Sequence, residues 1–460
     1  MPAALTARNA AALRLMVGAV TDSLTRDAGL RAYTQGAVEF HKFVAAAAKA
    51  TGDYLDASFA AGKPAGPVPS GPQLRLAALR AFWSILHAWA KPSADADTTA
   101  APVSIVSLLE RAARERGGGP AHLVLIHTPE LNYFHHSREP FSRVYAQLGI
   151  QGMPQIPEGI CLVAIPYSQS NRFLTNLCLF HEVGHFQADE TTLAAVARPA
   201  AQREVRSLPG AQGLSRDAEA WLTDRLVRWA EEVFCDLFAA RWLGAAYLLA
   251  FCETMCLVGL LDGAVGLEFR ESHPAVAFRL AFQREQLEAD GWWNALRRLA
   301  GSGTGTEYVA AADAATADPA NYHFQVSPGS DLPQLVAAFV PVARAVREFV
   351  NSNFPPRRAA AIALLERNWA AMSSCLENGI VPSAALRHGE SGEDAMIALA
   401  NAAAYFEVAG LGGLAQRLAP EPGEQEVAHL ARCLNKAEEW SLRGVEDLGY
   451  SAAAVSDGPV

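Results

Sequence analysis

The residues whose types and spacing best suit chemistry are His181, Glu182 and His185, which form the pattern H-E-x-x-H. Residues four apart lie on one face of an α-helix, so both imidazoles can bind one metal ion. Glu182 lies beside them, where its carboxylate can hold a water molecule and remove its proton. The pattern therefore predicts a zinc-dependent hydrolase with Glu182 as general base. The competing interpretation is two ordinary histidines on an amphipathic helix.

A catalytic zinc site usually has three protein ligands and one open position, so another residue must complete it. The pattern with a third histidine nearby is excluded, because Ala188 and Thr191 stand where it needs glycine and histidine. Glu232 and Asp236 are four apart in the apolar stretch WAEEVFCDLFAARWLG. We expect Glu232 to bind the metal and Asp236 to accept the free N–H of a ligand histidine. Alternatively, Glu231 and Glu232 lie on a solvated helix face and Asp236 pairs with an arginine.

The two motifs together resemble the gluzincin metallopeptidases, in which two helices supply the ligands. The resemblance implies that Glu232 binds zinc and that Asp236 orients a histidine. A later H-P-x-x-x-x-R segment contains His273 and Arg279 and is similar to the CAAX prenyl proteases and their soluble minigluzincin relatives. There, such a histidine and arginine bind substrate or stabilise the transition state. The resemblance covers residues 173–283, and the transmembrane helices of those membrane proteases are not expected here, so their substrate class is not carried over.

The expected chemistry assigns a role to each residue of this constellation. Zinc would polarise the scissile carbonyl, and Glu182 would pass the proton of water to the leaving amine. The oxyanion needs a donor beside the metal, for which His273 is the first choice and Tyr167 the alternative. Arg279 is expected to help as a binding residue or as a positive charge beside the oxyanion donor. The strand Ile160–Ile165 is expected to be a sheet edge to which an extended peptide adds.

A different zinc site is conceivable around the segment PEGICL. It resembles the Glu-Gly-Cys segment of the peptide deformylases, in which a cysteine is the third ligand. In this chain Ile160 separates the glycine from Cys161. Cys161 is more simply interpreted as an inward-facing strand residue.

The sequence around these residues predicts a predominantly helical α+β fold. Two short apolar runs, near residues 122–128 and 160–165, have the β-branched and leucine content of buried strands. Helical periodicity dominates elsewhere. We therefore expect a zincin-like core with a small sheet, flanked by helical regions. The predicted regions are a helical N-terminal region (1–100), the metallopeptidase core (101–300), a loop or linker (301–330), a helical C-terminal region (331–450) and a disordered tail (451–460).

Composition excludes several classes of function. The 460 residues carry a net charge of −10 without a basic run, so no nucleic-acid partner is expected. The longest apolar region, 242–267, is interrupted by Glu253 and Asp262, so membrane insertion is not expected. No secretory signal is recognisable at the N-terminus, and seven cysteines lack the spacing of a disulfide framework. A cytoplasmic location is expected.

Three functions fit these observations. The first is a zinc metallopeptidase that acts on a peptide or protein substrate. The second is a helical regulatory or interaction protein with a structural or gated metal site, suggested by the large helical regions outside the motifs. The third is zinc-dependent hydrolysis of a non-peptide amide, which the same ligands would support.

Overall fold

The structure is a computed structural model. Most of the chain is helical. The residues that the structure describes are 3–25, 35–59, 70–95, 103–115, 122–130, 133–136, 138–157, 159–169, 172–190, 192–209, 211–261, 266–299, 304–327, 330–331, 333–354, 359–378, 380–386 and 393–410. They form two compact units. Unit 1 comprises residues 1–100 and 113–170, and unit 2 comprises residues 101–112 and 171–460.

The described residues of unit 1 form four α-helices and a three-stranded sheet. The elements are α1 (Ala3–Thr25), α2 (Gln35–Phe59), α3 (Ser70–Asp95), β1 (His122–Thr128), β2 (Phe134–His136), α5 (Arg138–Leu148) and β3 (Ile160–Pro166). Residues 123–128 of β1 and all residues of β3 are buried, and α2 and α3 pack on β1. An aromatic cluster that includes Phe43, Phe82 and Phe141 fills the space between helices and sheet.

β3 is the central strand of this sheet. It pairs in parallel with β1 and antiparallel with β2, in the order β1-β3-β2. The expectation that Ile160–Ile165 is an edge open to a substrate strand is therefore wrong. Both sides of β3 are paired because its residues are buried, and a buried backbone needs partners for its N–H and C=O groups.

Unit 2 contains the remaining helices. They are α4 (Val103–Arg114, of which the first ten residues belong to this unit), α6 (Phe173–Asn176), α7 (Leu179–Glu190), α8 (Leu193–Arg206), α9 (Arg216–Leu243), α10 (Ala245–Leu257), α11 (Val276–Ala289), α12 (Trp292–Leu299), α13 (Thr304–Ala314), α14 (Pro333–Asn353), α15 (Ala359–Glu377) and α16 (Glu393–Tyr405). The helices predicted for the two motifs are confirmed as α7 and α9.

α9 lies at the centre of unit 2 and packs against α7, α8, α11 and α14. Ser215 caps its N-terminus by accepting a hydrogen bond from the Ala218 N–H, at 3.2 Å. From Trp229 onward nearly every residue is buried, because neighbouring helices cover all its faces. The Trp229 ring lies 4.7 Å from that of Phe269, which continues the aromatic core.

A second small sheet belongs to unit 2 and corrects one prediction. It is formed by β4 (Glu268–Phe269), β5 (His323–Ser327) and β6 (Ser330–Asp331), in that order. The region 301–330, predicted to be a loop or linker, therefore contains α13 and β5. The alanines of this segment favour helix, and buried Tyr308 and Tyr322 anchor it to the core.

The predominantly helical α+β class is confirmed, whereas the units differ from the predicted regions. β1 and β3, expected in one core with the motif helix, belong to unit 1 because its helices cover them. No described helix has the length and apolar character needed to cross a bilayer. Six cysteines are described and none forms a disulfide within the described ranges. The predicted tail, 451–460, lies outside the described residues.

Candidate metal centre

Two helices of unit 2 bring the motif residues together. α7 positions His181, Glu182 and His185, and the two imidazole rings lie one helical turn apart with centroids separated by 5.0 Å. α9 packs directly on α7 and positions Glu232 and Asp236. His181, Glu182, Glu232 and Asp236 are buried, and His185 is nearly so.

Gly184 allows the two helices to approach this closely. A Cβ atom on Gly184 would lie 2.8 Å from Cys235 Cα and 3.0 Å from Cys235 Cβ, closer than real side chains come. The glycine in H-E-V-G-H is therefore required by packing. Gly184 stands between His181 and His185 in sequence, so this close approach of α7 and α9 occurs beside the two histidines.

Both histidines have the same hydrogen-bonding arrangement. His181 Nδ1 lies 3.0 Å from Asp236 Oδ1, and His185 Nδ1 lies 2.7 Å from Glu231 Oε1. An ionised carboxylate only accepts hydrogen bonds, so Nδ1 donates in both cases. Each Nε2 faces Glu232 instead, at 3.3 Å for His181 and 3.6 Å for His185. Each Nε2 thus lies close to one oxygen of the same carboxylate.

A bound cation or a proton would stabilise this arrangement. With Nδ1 protonated, a neutral imidazole would turn its Nε2 lone pair toward the negative Glu232. As long as His181 Nε2 carries no proton, the buried Glu232 Oε2 has no hydrogen bond among the described residues, a costly state for a carboxylate oxygen. Tetrahedral zinc with ligand bonds of 2.0–2.2 Å separates its ligand atoms by about 3.4 Å, close to the observed spacings. The residues therefore fit a bound metal ion.

When no metal is bound, a proton on His181 supplies the positive charge beside Glu232. Burial by itself would lower the pKa of His181, but hydrogen bonds and charge from Asp236 and Glu232 raise it to about 10. Burial would raise the pKa of Glu232, but the two histidines and Arg279 hold it well below its usual range. The site thus holds a proton strongly, and a metal ion must displace that proton to bind.

Asp236 is a fully paired buried carboxylate. Arg279 donates from Nε to Oδ2 at 2.7 Å and from Nη2 to Oδ1 at 2.8 Å, a two-point contact. The Tyr247 hydroxyl donates to Oδ1 at 2.6 Å. Burial would raise the pKa of Asp236, but Arg279 and His181 keep it well below its usual range. Asp236 therefore stays ionised and fixes the ring of His181.

Arg279 lies inside this network rather than at an open surface. It is only 6% exposed, and its guanidinium stacks on Phe251 at 4.8 Å. Its Nη1 is 3.6 Å from Glu232 Oε2. The structure thus places Arg279 next to Glu232 and Asp236, and it orients Asp236 through two hydrogen bonds.

His273 lies at the exposed side of the centre. Its Nε2 is 3.5 Å from Glu232 Oε1, and its side chain is 47% exposed. Ser272 Oγ lies 2.7 Å from His273 Nδ1, so the hydroxyl can donate there and leave the ring proton on Nε2. Partial burial lowers the pKa of His273. A neutral imidazole with Nε2–H directed at the site is suited to stabilise an oxyanion.

Glu182 is a buried carboxylate beside the two histidines. Burial raises its pKa, and the neighbouring histidines lower it by less, so the net pKa is above its ordinary value. A carboxylate with a raised pKa is a better proton acceptor at neutral pH than an exposed one.

Three residues of the site were not predicted as members from sequence. Glu231, which the sequence places on a solvated face only in the alternative interpretation, pairs with His185, and Tyr247 reaches Asp236 from α10. Cys235 is buried, and its thiol lies within 4.8 Å of a ring nitrogen of each histidine. Cys235 follows Glu231 by four residues, so the sequence could have indicated that both lie on the same helix face. The sequence gives no such indication for Tyr247, because its approach depends on the turn at Gly244.

His181, His185 and Cys235 could together hold a metal ion. Burial and the surrounding carboxylates raise the pKa of the Cys235 thiol well above its usual value, so it is neutral in the metal-free protein. Cys161 lies buried in β3, in the other unit. The side chain of Tyr167 lies outside the described part of the chain.

Comparison of the chain with protein-family models, with curated proteins and with solved structures finds no match.

Proposed function

We propose that this chain is a zinc-dependent metallopeptidase of the gluzincin type, with a zincin-like catalytic core in unit 2. The observation that carries the proposal is the convergence of His181 Nε2 and His185 Nε2 on the Glu232 carboxylate, while carboxylates hold both Nδ1 atoms. Metal-binding histidines typically have this arrangement, in which a second carboxylate fixes the tautomer.

Glu232 is proposed as the third ligand in preference to Cys235. Both Glu232 oxygens face the histidines, and Oε2 has no hydrogen bond within the described residues. Cys235 lies against Gly184 at the contact of the two helices. A His2Glu set leaves one position open for catalysis.

The zinc ion would supply Lewis acidity, which activates water and polarises an amide carbonyl. Glu182 takes the proton of the attacking water and transfers it to the leaving amine. The Nε2–H of His273 donates to the oxyanion. Asp236, held by Arg279 and Tyr247, keeps His181 in the tautomer that presents Nε2. The substrate is proposed to be a peptide or protein.

Metal analysis and one substitution test this proposal. The purified protein should contain one zinc per chain and cleave a library of unstructured peptides. Glu182→Gln should keep the zinc and lose activity by about 10²–10⁴-fold, because only the general base is removed. Full hydrolysis by Glu182→Gln would refute the mechanism. A protein that unfolds without zinc yet cleaves no peptide would instead support a structural or regulatory metal site.

A further inference from the structure

A second charged feature lies on the same face of α9 as Glu232. Arg225 precedes Glu232 by seven residues, which turns the helix by nearly two full turns and separates the residues by about 10 Å along its axis. The Arg225 side chain is only 6% exposed. Its Nε and Nη1 atoms are buried and make no hydrogen bond to the described residues. A buried guanidinium with unused donors is costly and calls for an acceptor.

The acceptor nearest to Arg225 is weakly placed. Glu271 Oε1 lies 3.4 Å from Arg225 Nη2, and the Glu271 side chain is 75% exposed. A carboxylate so exposed can swing into solvent without disturbing the core. The Trp221 ring stacks on the guanidinium at 5.0 Å and fixes its plane. The guanidinium of Arg225 is thus held in place, while its pairing with Glu271 is long and exposed.

A turn connects Arg225 with the metal centre. The Arg270 N–H donates to the His273 carbonyl at 2.9 Å, and Trp229 Nε1 donates to the Arg270 carbonyl at 2.9 Å. The turn therefore lies along α9, with Glu271 at Arg225 and His273 at Glu232. An extended peptide spans about 10 Å in three residues, which matches the separation along the helix.

From this arrangement we infer that Arg225 is a substrate-binding residue that takes a carboxylate about three residues from the scissile bond. The carboxylate replaces that of Glu271 on the guanidinium. A free C-terminus and an acidic side chain share this chemistry. The inference rests on the proposed peptidase function, and it assigns that function a preference for peptides with a carboxylate at a fixed distance.

Binding can be measured without turnover. The full-length zinc-loaded protein with Glu182→Gln is titrated by calorimetry with N-acetyl-trialanine and with its C-terminal amide. The free acid should bind about tenfold more tightly than the amide, as expected for a charge-assisted contact. N-acetyl-Ala-Ala-Glu-amide distinguishes the sources, because tight binding of this peptide shows that a side-chain carboxylate suffices. Equal affinity for the free acid and both amides would overturn the inference.

Substitutions at the subsite give effects of opposite sign. Arg225→Gln should abolish the preference for the acid, whereas Glu271→Gln should strengthen acid binding about two- to fivefold by removing the competing carboxylate. Arg216→Gln removes the same charge from an exposed position of α9 and should change nothing. Because Glu271 is exposed, Glu271→Gln should fold normally, and it tests the inference even if Arg225→Gln does not fold. Unchanged acid affinity in Glu271→Gln would contradict the inference.

The failure of this inference can be distinguished from the failure of the peptidase proposal. A protein that cleaves peptides with equal kcat/KM for acids and amides refutes the subsite alone. A protein that binds acids through Arg225 but cleaves no peptide refutes the peptidase proposal alone.

Discussion

Gly184→Ala should damage the metal centre through the contact of α7 and α9. The added Cβ would lie 2.8 Å from Cys235 Cα, while ordinary contact begins at 3.4 Å, so the helices must separate by about 0.6 Å. The same shift would lengthen the Glu232 distances to His181 and His185 Nε2 from 3.3 and 3.6 Å to about 3.9 and 4.2 Å. Tetrahedral zinc needs about 3.4 Å.

Two effects of Gly184→Ala can be measured. Zinc affinity, determined by competition with a chromophoric chelator, should fall about 10–100-fold, comparable to the loss of a residue that orients a ligand. The free energy of unfolding of the metal-free protein in urea should fall by about 1–3 kcal/mol, as for other overpacked cores.

Gly52→Ala is the matched control. Gly52 lies inside α2, and a Cβ there meets no atom within 4 Å. Because alanine favours helix over glycine, this variant should gain about 0.5–1 kcal/mol and bind zinc normally. If Gly184→Ala also binds zinc normally and loses no stability, the close approach of the helices does not position the ligands.

Two further predictions concern the ligands. Glu232→Gln should lose stoichiometric zinc, whereas Cys235→Ser should retain it; the opposite result in elemental analysis would make Cys235 the third ligand. The metal-free protein should lose stability as the pH rises. Asp236 and Glu232 outweigh burial and raise the pKa of His181 from 6.5 to about 10, so its protonated form stabilises the fold fully below pH 6.5 and ceases to do so as pH rises through 10. The thermal midpoint should fall across that window, and His181→Gln should reduce the slope; a slope unchanged by this substitution would contradict the assignment.

Helical periodicity and motif spacing predict the elements that carry the site. The H-E-x-x-H residues lie on α7 and the acidic pair on α9, and the structure brings His273 and Arg279 to them. Such elements can be predicted because residues four apart on a helix share a face whatever surrounds it.

The remaining features depend on contacts between distant segments. Glu231 is adjacent to Glu232 in sequence, and only the packing angle of α7 decides that it reaches His185. Tyr247 reaches Asp236 because Gly244 turns the chain with φ of 63°, and the Trp292 ring fills the place of its missing Cβ. The sequence does not predict that β3 is a central strand, because a buried strand pattern does not reveal how many partners the strand has.

α9 continues from Arg216 to Leu243 without glycine or proline. The backbone hydrogen bonds of one unbroken helix therefore fix the positions of Glu231, Glu232 and Asp236 relative to one another. The conformational entropy of these carboxylates is lost when the protein folds, and not when an ion binds. Binding of a metal ion then requires little rearrangement of the chain, and the main opposing cost is displacement of the proton that the site holds.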